Sequence, residues 1–157
     1  ATGNAELWLE HVNAVIAKAK EQAPTTAPRV LICAGRDPAS LERLYISGRG
    51  NFYEGIVKIA GGANAYDGPL PFPMVSLEGV LKMNPDIIVD IIVGEAARDG
   101  VEKALVQWSG LSTVNAVKTG DVHILTEAWA VRPGPRIDLL VTSLSDYVRE
   151  WSEGHDR

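Results

Sequence analysis

Only one of the 157 residues is a cysteine. Cys33 alone can close no disulfide within the chain, and a thiolate metal site cannot be assembled from it. The compartment stays open, because many exported proteins carry no disulfide. Missing too is any run of the roughly 18 apolar residues that a membrane helix needs. Lys and Arg form no cluster, and with a net charge of −5 the chain offers no nucleic-acid surface. The opening ATGNAEL has neither the basic start nor the apolar block of a signal peptide. The chain instead begins almost inside a helix, as though a segment had preceded it. No internal repeat and no low-complexity stretch interrupts it.

Catalytic signatures are absent as well. The GRGNFY stretch at 48–53 starts like a dinucleotide-binding glycine loop but ends in tyrosine, which breaks the pattern. Phosphate-binding, nucleophile-elbow and zinc-helix motifs do not occur. His11, His123 and His155 fall on a helix, a strand and the tail, so they form no ligand set, and His123 is expected to be a satisfied strand histidine. Asp90 interrupts an apolar strand. A buried unpaired carboxylate is costly, so it should be partnered or lie at the sheet's end.

What is present is ordinary globular material: 46% hydrophobic and 22% charged residues, long enough for one domain with its own core. Residues 71–92 organise it. Pro71 and Pro73 hold an extended approach, Ser76 is placed to cap a helix, and Val75 and Val80 stand at staple positions. Pro85 stops that helix, and Ile87–Val93 reads as a strand buried on both faces. Around this unit, Asn4 is placed to cap a helix to about Gln22, with Trp8, Val12, Val15 and Ala19 in one stripe and Leu9 and Ile16 beside it. Arg29–Ala34 and Asp121–Leu125 read as further buried strands, and Leu44–Ile46 as a short one. Asn51 caps a helix with Phe52, Ile56, Val57 and Ile59 inward. Ala96–Trp108, Val114–Lys118 and Arg136–Trp151 read as helices, and SEGHDR as a frayed tail. The class is α/β: three layers, a parallel-type sheet with helices on both faces, preceded by a long helix.

In such folds ligands gather at loops after strand C-termini, here 35–38, 94–96 and 126–135. The richest is Trp129-Ala130-Val131-Arg132-Pro133-Gly134-Pro135-Arg136. An aromatic and two arginines on a proline-stiffened loop can stack on a flat ligand and pair with its acidic groups. Equally, Trp129 can pack on the core and Arg136 can decorate a helix start; spacing leaves both open. Phe72, Tyr45 and Arg36 can join the same rim, though each taken singly is more often structural.

The ordered series VLICAGRDP, SGRGNFYEGIVKIAGGANAY, PFPMVSLEGVLKMNPDIIV, GDVHIL and WAVRPGPRI resembles the C-terminal lobe of class III periplasmic substrate-binding proteins, over about residues 4–152. These serve ABC importers of cobalamin, ferric siderophores and haem. The resemblance implies a connecting helix at 1–23, a C-terminal α/β lobe at 24–152 and a flexible tail at 153–157. It implies a missing N-terminal lobe, a periplasmic or cell-surface lipoprotein location, a metal-chelate ligand with no covalently bound cofactor, and importer membrane subunits as partners. Glu78 in VSLEG matches the acidic residue that docks on those subunits. Phe72 matches an aromatic ligand contact, and Trp129 and Arg132 an aromatic-x-x-Arg pattern facing the ligand. Ala128 departs from the cobalamin pattern, where an aspartate can occur, so the chelate stays undetermined. The leading expectation is a binding module and not an enzyme. The alternatives are an enzyme or chelatase-like metal-insertion domain on a similar scaffold, for which no His or carboxylate cluster converges, and a purely structural interaction domain.

Overall fold

A computed structural model describes residues 2–155, leaving Ala1, Asp156 and Arg157 outside the description. One sheet carries the chain, in the order β4-β2-β1-β5-β6, with the two-residue β3 beside the start of β1. The parallel centre is β1 (Arg29–Arg36), β5 (Ile87–Ile91) and β6 (Val122–Leu125), in keeping with their largely apolar runs. β3 (Ala63–Asn64) also runs parallel to β1. The sheet is nonetheless mixed. β2 (Leu44–Ile46) runs antiparallel to β1, and β4 (Met74–Val75) antiparallel to β2. Two-residue strands fall below what sequence periodicity can register.

Alternate residues of the central strands feed two cores. One face supplies Val30, Ile32, Ile87, Val89, Ile91 and Leu125, covered by α1 (Thr2–Glu21), α2 (Phe52–Ile59) and α6 (Ile137–His155). The other supplies Leu31, Cys33, Leu44, Ile46 and Ile88. It is covered from α3 (Leu77–Met83), α4 (Gly100–Ser109) and α5 (Asn115–Thr119), through Val80, Trp108 and Ala116. A two-sided sheet of this kind needs strands apolar on both faces, which β1 and β5 are.

The organising unit folds as its residues dictate. The Ser76 hydroxyl accepts from the Gly79 amide at 3.2 Å, and Asn84 closes α3 in the left-handed region at φ 45° before Pro85. Other expectations are corrected. α1 begins at Thr2, so Asn4 lies inside it, and Trp8 and Leu9 are exposed while Val12 and Ala19 are buried. In α2 it is Tyr53 that turns inward, and Phe52 outward. A 3-10 turn at Gly94–Ala97 precedes α4, so no continuous helix spans 96–108. The tail is helical through His155, whose ring stacks on Trp151 and whose Nδ1 lies 2.8 Å from the Trp151 carbonyl oxygen. Both contacts are one helical turn apart, which continues the closing helix past Trp151.

Candidate functional site

After β6 the chain makes two 3-10 turns, Ala128–Ala130 and Gly134–Arg136, before α6 begins. Two elements hold this loop. The Tyr53 hydroxyl, from α2, donates to the Ala130 carbonyl at 2.7 Å. The Trp8 indole, from α1, donates to the Pro135 carbonyl at 2.7 Å. Just beyond, the His11 imidazole meets the Asp138 carboxylate at 2.9 Å. Within the loop the Arg132 amide reaches the Ala128 carbonyl at 3.1 Å. The prolines cannot contribute donors, so anchorage comes through carbonyls from outside.

The result is an open groove of about 280 Å³ lined by Ala128, Trp129, Arg132, Pro133, Pro135 and Arg136. Trp129 is half-buried, one side packed on the first core, while Arg132 and Arg136 are exposed. Neither guanidinium has a partner among the described residues. An aromatic edge beside two unspent cations on a pinned backbone suits a flat ligand with peripheral carboxylate, phosphate or amide groups. Trp129 and Arg132 are thus brought together as expected from the sequence.

Arg36 is not. Its side chain is 1% exposed, locked against an Asp90 side chain with no exposed surface at 2.9 Å. Arg36 Nε also reaches Asp90 Oδ2 at 3.0 Å, and the Trp108 indole donates to the same oxygen at 2.8 Å. The remaining guanidinium nitrogen donates to the Asp37 and Ser40 carbonyls. All three guanidinium nitrogens are engaged internally, so Arg36 leaves the rim and becomes the partner that Asp90 required.

Tyr45 and Phe72 lie toward the opposite edge of the sheet, 51% and 45% exposed. Tyr45 pairs across strands with Met74, which is 55% exposed on the same face. The out-in alternation of Phe72, Pro73, Met74 and Val75 was the available signal for Met74, but the prolines hid the strand. The exposed Phe52 ring has its centroid 4.0 Å from that of Tyr53, which in turn holds Ala130. Tyr53 was missed because an inward tyrosine and an inward phenylalanine are interchangeable in a periodicity. Burial raises its phenol to about 12, so it donates as a neutral hydroxyl. Glu78 stands in the first turn of α3, its side chain 78% exposed and 3.7 Å from Lys82.

His123 departs from expectation. It stacks on Tyr147 at 3.8 Å, 9° from parallel, and its Nε2 is buried with no hydrogen-bond partner. Burial lowers its pKa from the usual 6.5, outweighing the pull of Asp121 and Glu150. No group of three or more His, Cys, Asp or Glu among the described residues is arranged to hold a metal ion.

No protein-family model matches the chain. It is 31% identical over 133 residues to a vitamin B12-binding protein of Pectobacterium atrosepticum, a match covering 83% of this chain and 42% of that protein. It is 28% identical over 132 residues to an ABC transporter substrate-binding lipoprotein of Bacillus subtilis, covering 83% of this chain and 38% of the relative. Among solved structures, the periplasmic heme-binding protein RhuT of Roseiflexus sp. RS-1 superposes with a TM-score of 0.74 at 24% identity, over 94% of this chain and 56% of that one.

The chain therefore has the fold of the periplasmic binding proteins and is a relative of vitamin B12-binding proteins and ABC transporter substrate-binding lipoproteins. This is the family that the sequence motifs resemble. The chain spans less than half the length of these two sequence relatives.

Proposed function

We propose that the chain is the C-terminal lobe of the substrate-binding component of an ABC importer, capturing a metal chelate such as cobalamin, a ferric siderophore or haem. The observation that carries this reading is the groove at 128–136: Trp129 and two unpartnered arginines on a backbone pinned by Trp8 and Tyr53. Trp129 stacks on the chelate's face and Arg132 pairs with a peripheral acidic group. Tyr45 and Phe72 extend the rim, and an N-terminal lobe supplies the other wall. α1 is the connecting helix, and the whole works as a periplasmic or cell-surface lipoprotein. Among the described residues no helix is long and apolar enough to cross a membrane. The relatives are binding proteins of transport systems, and this chain binds without turnover.

The test is a tryptophan-fluorescence titration of the chain with cyanocobalamin, haemin and ferrichrome. Saturable binding of one of them, weaker than about 1 µM because half the contacts are absent, is expected. Submicromolar binding overturns the half-site reading. No response to any of the three, or turnover of one, overturns the chelate-binding reading.

Glu78 serves docking on the importer's membrane subunits. With its carboxylate facing solvent and only Lys82 nearby, Glu78→Ala should cost under about 1 kcal/mol of stability. In the two-lobed receptor it should weaken binding to the reconstituted importer by about 2–5 kcal/mol, since arginines on that partner are left unpaired. Unaltered importer binding makes Glu78 an ordinary first-turn acid.

A further inference from the structure

Asn51 makes more hydrogen bonds than capping a helix needs. Its Oδ1 accepts from the Glu54 amide at 3.2 Å, the capping bond of α2, and from the Ser47 hydroxyl at 2.9 Å. Its Nδ2 donates to the Pro71 carbonyl at 2.8 Å and to the Gly48 carbonyl at 3.3 Å. A primary amide has two donors and two acceptor sites, and all are used here. Ser, Thr or Asp caps a helix comparably, but none of them donates twice. The donor half therefore has no part in capping, and its shorter bond lands on the residue before Phe72.

The 70–73 stretch depends on outside donors because Pro71 and Pro73 have no N–H. The Leu70 carbonyl accepts from the Arg49 amide at 2.9 Å. The Pro71 carbonyl accepts from the Gly48 amide at 2.8 Å, and that of Pro73 from the Ile46 amide at 3.1 Å. Gly48 is required by space, since a Cβ there would lie 1.9 Å from the Leu70 carbonyl oxygen. Asn64 braces the same turn, its Nδ2 donating to the Gly48 carbonyl at 2.8 Å. Phe72 thus projects from a backbone fixed on both sides.

We infer that Asn51 is a positioning residue for Phe72: one amide joins the start of α2 to the 70–73 loop and sets the ring's place before a ligand arrives. This rests on the proposed reading of Phe72 as ligand-facing. Presetting lowers the ordering cost that a mobile aromatic would otherwise impose on binding.

Asn51→Ser keeps an acceptor for the Glu54 amide and removes the two amide N–H donors that reach the Pro71 and Gly48 carbonyls. In the full chain, amide hydrogen exchange at Gly48 and Arg49 should speed up about tenfold, while amides in the interior of α2 change little. A second arm titrates wild type, Asn51→Ser, Phe72→Ala and the double variant with cyanocobalamin and with haemin. Each single change should weaken binding about three- to tenfold, and the double should be no weaker than Phe72→Ala alone, because Asn51 acts through that ring. Additive losses overturn the inference, as does unchanged exchange at Gly48 and Arg49. If wild type takes up neither of these probes nor ferrichrome, the ligand reading falls, and the exchange arm decides the positioning alone.

Discussion

The end of β1 and the end of β6 begin alike: a parallel strand, an arginine at its end or in the loop that follows, and a proline in that loop. They finish differently. At β1 the arginine turns back under the sheet, where Asp90, itself held by the Trp108 indole N–H, takes up its charge. At β6 Arg132 faces solvent with no partner among the described residues, beside a half-buried tryptophan, and the strand's own His123 keeps an unanswered nitrogen. Location at the sheet's C-terminal edge therefore does not by itself leave an arginine open to solvent. An arginine is available to a ligand only where the neighbouring strand offers no carboxylate to claim it.

The comparison breaks most severely at Asp90. Asp90→Ala leaves the buried Arg36 uncompensated and should cost about 3–5 kcal/mol in denaturant unfolding. Pairing Asp90→Leu with Arg36→Met should recover much of that, leaving unpaired the Trp108 N–H and the Asp37 and Ser40 carbonyls that Arg36 served. A loss below about 1 kcal/mol for Asp90→Ala alone would show that the pair is not holding the β1 end closed.

At the β6 end the first cost should appear in binding. Trp129→Ala should weaken uptake of the responding chelate by about 1–3 kcal/mol with a smaller loss of stability, reflecting the side already packed on the core. Collapse of thermal stability with unchanged affinity would make Trp129 a core residue.

Acid should separate the two ends next. Burial disfavours the His123 imidazolium, so below about pH 6.5 the unfolded chain binds more protons than the folded one. The stability this histidine contributes is full above pH 6.5 and is lost as pH falls towards its lowered folded value. His123→Phe keeps a ring against Tyr147 and should flatten the change in unfolding free energy between about pH 7 and 5.5. An identical slope in wild type and variant removes His123 from the account.

Smallest of all, Arg132→Ala should change stability by less than about 0.5 kcal/mol, because its guanidinium has no partner among the described residues. A larger loss would mean the two arginines differ less than their surroundings indicate.

How much of this was legible follows from what each residue type reveals alone. β5, the Ser76 cap, the Asn51 cap and the proline stops were readable because the cause and its effect lie within a few residues. The groove residues were readable as a cluster because they are consecutive. Arg36 was misplaced because its partner is 54 positions away, and nothing in GRDP says that a carboxylate waits on the adjacent strand. Tyr53 and Trp8 were missed for the same reason: each holds the loop through a carbonyl, and carbonyls carry no sequence signature. β3 and β4 were invisible because two residues cannot show a period.

Cys33 turns the closed β1 end into an instrument. Its thiol has no exposed surface, and burial, with Asp90 close by, pushes its pKa upward. Reactive thiolate is therefore nearly absent until strand β1 separates from its neighbours. With no second cysteine in the sequence, a thiol-labelling reagent has one target, and the rate at which label accumulates times the opening of the sheet itself. The protein thus carries a native clock for its own unfolding, readable without any added probe residue.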